Sequence, residues 1–240
     1  LSLARNAAVE HGKPVAIFSL EMTALQLVNR LISGEAEFSA DKIRRGDFNE
    51  YDFKVLHEKI GKLVDAPMFI DDTPAISIFD FRAKAKRLKA QHGIELIIVD
   101  YLQLMTAGGN GKSGNREQEV GLISRSLKAI AKELSIPIIA LAQLSRAMEQ
   151  RGGNKHPQLS DLRESGSMEQ DADLVMFNHR PEYYGILQDD DGNSTQGIAE
   201  IIIAKHRNGR VGKENLMFIQ QFTKFREPSE ILYSSTEPFV

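Results

Sequence analysis

Short apolar runs alternate along this chain with longer stretches in which apolar residues recur every three or four positions. Pro14-Val-Ala-Ile-Phe-Ser-Leu20, Leu96-Ile-Ile-Val99 and Ile136-Pro-Ile-Ile-Ala-Leu141 are of the first kind. Leu174-Val-Met-Phe177 and Ala199-Glu-Ile-Ile-Ile-Ala204 continue the series, and Met68-Phe-Ile70 is a shorter member. Continuous rather than alternating hydrophobicity is what a parallel strand covered on both faces requires. Between these runs lie helical patterns. Thr23 with Gln26 is a capping-box signature ahead of Leu25, Leu27, Val28, Leu31 and Ile32. Phe53, Leu56, Ile60 and Leu63 mark a second helix, and Ile78 to Gln91 a third with Phe81, Ala85 and Leu88 on one stripe. Val120, Ile123, Leu127, Ile130 and Leu134 mark a long fourth, and Leu1 to His11 reads as the remainder of a helix whose beginning is missing. The alternation predicts an α/β fold, a mostly parallel twisted sheet flanked by helices. From about Asn215, alternation in Leu216-Met-Phe-Ile219 and Phe222-Thr-Lys-Phe225 predicts an antiparallel hairpin near the C-terminus.

Two segments interrupt the pattern. Ala107 to Asn115 is glycine-rich and follows a strand region, which predicts a mobile loop. Gln188 to Thr195 is an acidic turn joining the runs around it. No repeat at solenoid period and no dividing linker is present, so one domain spanning 1–240 is expected, long enough to bury a sizeable core.

Composition narrows the class. An apolar fraction of 42% and a charged fraction of 26% are ordinary for a globular protein. No apolar run approaches the roughly 18 residues of a membrane helix, and the first residues lack signal-peptide features. Cysteine is absent, which excludes disulfides and thiolate zinc sites, so a cytoplasmic location without membrane contact is expected. The net charge of −3 argues against a broad nucleic-acid coat but allows a few donors on a narrow channel. The histidines, at 11, 57, 92, 156, 179 and 206, fall in no H-E-x-x-H arrangement, and their spacing argues against a histidine metal site.

In doubly wound sheets, ligands collect at the carboxyl ends of the strands. Here three runs end in Ser19-Leu20-Glu21, Asp100-Tyr101 and Ala142-Gln143. An acid, an acid and an amide suit magnesium-nucleotide chemistry: one carboxylate for the metal shell, one to activate water, and a neutral donor for the terminal phosphate. Leu96-Ile-Ile-Val-Asp100 has the form of a Walker B strand. Taken singly, Asp100 could equally cap a loop, Glu21 could begin the Thr23 helix where a carboxylate suits the dipole, and Gln143 could be a turn residue. Their coincidence on strand ends favours function.

Longer blocks carry a resemblance. Phe18-Ser-Leu-Glu-Met22, Ile98-Val-Asp-Tyr-Leu-Gln-Leu-Met105 and Ile139-Ala-Leu-Ala-Gln-Leu-Ser-Arg146 resemble motifs of the DnaB replicative helicase family, whose motor is RecA-like. Ser160 to Asp173 resembles the family's DNA-contacting motif, and Glu200-Ile-Ile-Ile-Ala-Lys-His-Arg-Asn-Gly209 its arginine-finger segment. The blocks occur in family order over almost the whole chain.

The resemblance implies a helicase motor that hydrolyses ATP with Mg2+ and moves 5′ to 3′ on single-stranded DNA as a homo-hexameric ring, with primase and a helicase loader as partners. It implies Glu21 as the residue that polarises the attacking water, Asp100 as the magnesium-shell aspartate and Gln143 as the γ-phosphate reader. Lys205 and Arg207 match the basic pair delivered to a neighbouring subunit's nucleotide. Arg163, Glu164 and Gly166 match the loop that grips the single strand. Without the resemblance, Ser160 to Asp173 reads as a polar loop with a short capped helix, and Lys205 and Arg207 as an exposed strand end.

Family members hold the β- and γ-phosphates with a G-x-x-x-x-G-K-[ST] loop, and residues 1–240 contain none. Gly111-Lys112-Ser113 is a decoy, because the position five earlier is Thr106 and the segment follows the Asp100 strand. A channel loop with Lys112 and Arg116 near DNA is the better expectation. The chain is therefore expected to begin just after the phosphate-binding loop, to lack the family's N-terminal partner-binding domain, and to be inactive alone. The rival readings are another RecA-like ATPase, of recombinase or clock type, and a non-catalytic assembly module.

Overall fold

The computed structural model describes residues 1–108, 116–145, 148, 151, 155–189 and 191–228, and within 163–167 the backbone alone. Two compact units result: Leu1–Leu144 with Leu162–Asp171, and Ser145–Asp161 with Ala172–Val240.

The first unit is built on four parallel strands, β1 (Val15–Ser19), β2 (Met68–Asp71), β3 (Leu96–Asp100) and β4 (Ile138–Ala140), in the order β2-β1-β3-β4. Every residue of β1 is buried, as are the three central residues of β3. That burial is why both runs are continuously apolar. Ser2–Arg5 (α1), continued by a π-helical turn at Asn6–Glu10, and Ala24–Ala36 (α2) cover one face of the sheet. Ala4, Ala8 and Leu27 from these helices pack with Val15, Ile17 and Ile98. Side chains alternate along a strand, so Phe18 points to the opposite face. There it meets Phe81 of Ile78–His92 (α5) edge-on, with ring centroids 4.7 Å apart and both rings fully buried. Such a pair adds about 0.5–1.5 kcal/mol beyond its burial.

The predicted helices form, and the expected cap of α2 is present. Thr23 Oγ1 accepts from the Gln26 N–H at 3.3 Å while Gln26 Oε1 accepts from the Thr23 N–H at 2.9 Å, a complete capping box. The second and fourth patterns become Glu50–Val64 (α4) and Arg116–Leu134 (α6). A short helix, Ala40–Arg45 (α3), is one that periodicity did not announce. Its six residues are fewer than two turns, and none is buried.

The second unit corrects the expectation for Leu174–Phe177 and Ala199–Ala204. These runs become β5 (Leu174–His179) and β6 (Ile198–His206), which pair antiparallel, as do β6 with β7 (Gly212–Ile219) and β7 with β8 (Lys224–Arg226). They do not extend the parallel sheet. Two physical signs explain it. A parallel pair needs a crossover of a dozen or more residues, usually a helix. The β5–β6 connection instead holds a single 3-10 turn at Pro181–Tyr184 and the acidic turn, closed by a Gln188–Ser194 bridge. Moreover β5 alternates, with Leu174 and Met176 about two-fifths exposed, although Leu174 to Phe177 are apolar without a break. The C-terminal hairpin is present, with Phe218 opposite Phe225 and their rings 4.9 Å apart.

Candidate functional site

Parallel strands bring all their carboxyl ends to one edge, and three of them are tied together there. Ser19 stands opposite Asp100 in the β1–β3 register, and the Leu20 N–H donates to the Asp100 carbonyl at 2.7 Å. Leu141, just past β4, donates to the Val99 carbonyl, and its own carbonyl accepts from Leu102, both at 2.9 Å. Glu21, Asp100 and Gln143 therefore emerge from adjacent strands of one sheet edge, as the sequence implied. Glu21 and Gln143 are exposed and Asp100 half-buried. The Asp100–Tyr101 peptide bond is cis.

Supporting groups fix each position. The buried Ser19 hydroxyl donates to the Met22 carbonyl at 2.7 Å, closing the turn that carries Glu21. Asp72, after β2, accepts from the Ala24 N–H at 2.8 Å and tethers the start of α2. The Gln103 amide holds Gln143 by its backbone: Nε2 donates to the Gln143 carbonyl at 3.1 Å, and Oε1 accepts from the Gln143 N–H at 3.3 Å.

Among the described residues no side-chain hydrogen bond or ion pair occupies the Asp100 carboxylate. A hard oxygen anion at a half-open strand end fits Mg2+, which binds through one or two carboxylates, waters and substrate phosphates. Asp100 fits that role on its chemistry.

The expected DNA-contacting residues are placed in part. Lys112 lies outside the described residues. Arg116 begins α6 and is engaged within the fold, pairing with Glu119 and donating to the Gln103 carbonyl and, at 3.4 Å, to that of Met105. Glu119 also accepts from the Ala107 N–H at 3.1 Å. That bond, together with Arg116 and against burial, keeps the Glu119 carboxyl below its usual range. Arg163 and Glu164 belong to a 3-10 stretch, Leu159–Ser165, and Gly166 opens a helix, Gly166–Asp171. The side chains of Arg163 and Glu164 lie outside the description. The stretch is anchored by Asp161, 5% exposed, which pairs with Arg151 and accepts from the Gln158 N–H at 2.8 Å.

Lys205 and Arg207 belong to the second unit. Lys205 stands opposite Val175 on β6. Arg207 follows β6, donating through its backbone to the Asp173 carbonyl at 2.9 Å and through its guanidinium to Asp173 Oδ1 at 3.1 Å. Gln103 and Asp173 are positioning groups that sequence reasoning did not single out. Their residue types are ordinary, and only the folded turn and strand register reveal their partners.

The chain is 49% identical over 225 residues to the replicative DNA helicase DnaB of Geobacillus stearothermophilus, an alignment covering 94% of this chain and 48% of that protein. It thus spans about half the length of such relatives. A solved DnaB-like replicative helicase, described with its interactions with primase, superposes with a TM-score of 0.83 at 38% identity, covering 93% of this chain and 52% of that one. A KaiC-like protein from Pyrococcus horikoshii shares the fold alone, at a TM-score of 0.52 and 16% identity, over 92% of this chain and 78% of that one. The profile of the DnaB-like helicase C terminal domain matches residues 1–227, across both units, and the chain belongs to that family.

Proposed function

We propose that residues 1–240 form one motor domain of a replicative DNA helicase, hydrolysing ATP with Mg2+ and translocating 5′ to 3′ on single-stranded DNA as a hexameric ring. The observation that carries this is the convergence of Glu21, Asp100 and Gln143 on one edge of the parallel sheet, with the backbone ties Leu20–Asp100 and Leu102–Leu141 holding their strands in register.

In this reading Glu21 accepts the proton of the attacking water, which its exposed position on a short turn allows. Asp100 holds the shell of a magnesium ion, whose charge would neutralise the β- and γ-phosphate oxygens. The Gln143 side chain donates to the γ-phosphate, while Gln103 fixes the backbone that carries it. A phosphate-binding loop preceding Leu1 would supply the cradle for the β- and γ-phosphates. Lys205 and Arg207 serve the nucleotide of a neighbouring subunit. Arg163, Glu164 and Gly166 grip the DNA backbone, and Lys112 and Arg116 add charge toward it. Primase and a loader are the proposed partners, the former because a solved relative is described with primase. A cytoplasmic location goes with this role.

The test uses this chain preceded by a G-x-x-x-x-G-K-[ST] loop. It is expected to hydrolyse ATP and displace a DNA strand, and Asp100→Asn is expected to abolish both. Residues 1–240 alone, lacking the phosphate cradle and its lysine, are expected to turn over ATP no faster than background. Steady turnover by 1–240 that Asp100→Asn removes would overturn the assignment of the missing cradle. Turnover indifferent to Asp100→Asn would overturn the site.

A further inference from the structure

The spacing of the histidines argues against a metal site, yet the second unit brings two of them to one carboxylate. His179 ends β5 and stands opposite Glu200 of β6 in the antiparallel register, and His156 precedes Pro157 in the neighbouring loop. An imidazole nitrogen of each histidine and an oxygen of Glu200 all lie within 4.8 Å of one another.

The buried polar atoms set this cluster apart. Glu200 Oε1 accepts from Lys213 Nζ at 2.6 Å, while its Oε2 is buried with no hydrogen-bond partner among the described residues. His179 Nε2 is likewise buried and without a partner among the described residues, on a residue only 2% exposed. Oε2 stands 3.5 Å from His156 Nε2, and Tyr184 stacks on the His179 ring at 5.5 Å between centroids. Buried polar atoms are nearly always satisfied, so two adjacent exceptions call for an occupant.

We propose that His156, His179 and Glu200 bind a divalent transition ion of the zinc class, with Lys213 holding the carboxylate in place. Two imidazoles and one carboxylate form a ligand set suited to zinc and leave a fourth position for water. Zinc takes such ligands at about 2.0–2.1 Å, which sets them about 3.4 Å apart. The His156–Glu200 pair is already at 3.5 Å, and the widest separation is 4.8 Å, so side-chain motion closes the site. Burial and the neighbouring His156, against the pull of Glu200, lower the pKa of His179 and keep that ring neutral, the form that ligates. Lys213 shares the sign of the ion and moderates its affinity. A bound ion would staple the His156 loop to β5 and β6. The rival occupant is an ordered water.

The experiment strips the chain with a chelator and titrates it with Zn2+, and separately with Co2+. Stoichiometric zinc binding, a rise in Tm with zinc and the visible bands of low-coordinate cobalt are expected. His156→Ala and His179→Ala are each expected to weaken zinc by at least about 10–100-fold, the loss that even outer partners of a metal produce. His156 is partly exposed, so its removal leaves the fold measurable by circular dichroism even if the His179 variant does not fold. His57→Ala, in the first unit, serves as a control with unchanged binding. No shift in Tm and no cobalt bands, or affinity undiminished by His156→Ala, would overturn the proposal and leave water as the occupant.

Discussion

In the first unit β1 and β3 run parallel and are buried almost throughout, whereas in the second unit β5 alternates between buried and exposed positions and pairs antiparallel with β6. Their sequences look alike. Topology sets them apart chemically. Parallel strands deliver their last residues to a single edge, so Glu21, Asp100 and Gln143 gather there. Antiparallel strands send alternate ends apart, so Lys205 and Arg207 emerge from the end of β6 while His179 and Glu200 meet within the sheet. On the proposed function, the first unit holds the nucleotide of its own subunit and the second carries the residues offered to the next.

That division predicts unequal effects. Arg207→Ala, in a chain preceded by a phosphate-binding loop, should lower kcat by about 10³–10⁵, the usual worth of an arginine finger. The competing account makes Arg207 a surface charge paired with Asp173, which is worth little and would leave kcat unchanged. Glu21→Gln should lower kcat by about 10²–10⁴ with nucleotide affinity nearly unchanged, because water activation belongs to the transition state. Intact turnover would make Glu21 merely a helix-start carboxylate.

Gln103→Ala should lower kcat by about 10–100-fold with KM little altered, since it frees the backbone that aims Gln143. Gln103→Glu keeps the acceptor for the Gln143 N–H but not the donor, and should recover part of the loss. A loss of folded protein without a change in kcat would make Gln103 structural only.

The smallest effect lies away from the site. Arg82 and then Lys86 of α5 bond Glu133 of α6 and hold its carboxyl at about 2. A depressed carboxylate stabilises the fold fully above its unfolded value, and that stabilisation is lost as pH falls through the folded one. The window runs from about 4.5 down to about 2. Glu133→Gln should flatten this part of the acid limb in urea titrations, and salt should shrink the difference because the groups are exposed. An unaltered acid limb would show that the pair does not form in solution.

Much of the first unit was legible before folding. Thr23 and Gln26 announce a capping box by their spacing alone, and Leu96–Asp100 announces a buried strand with an acid at its end. Such signals are local. Gln103 was silent because its partner lies forty residues on and is a backbone group, which no residue type reports. Asp173 and Arg207 meet only once β5 and β6 pair antiparallel, and the same register brings His179 to Glu200. The apolar run of β5 misled because periodicity cannot tell a short buried strand from one with an open face. The charge inside the β6 run, Glu200, and the absence of a helical pattern between the runs were the signs available.

The division of labour between the two units is tested most directly by mixing subunits. Chains carrying Arg207→Ala and chains carrying Glu21→Gln, each preceded by a phosphate-binding loop, are combined and their ATP turnover compared with that of each variant alone. If the first unit of one subunit and the second unit of another serve a single nucleotide, some interfaces regain both intact residues and activity partly returns. Mixed rings that assemble yet stay inactive would contradict it.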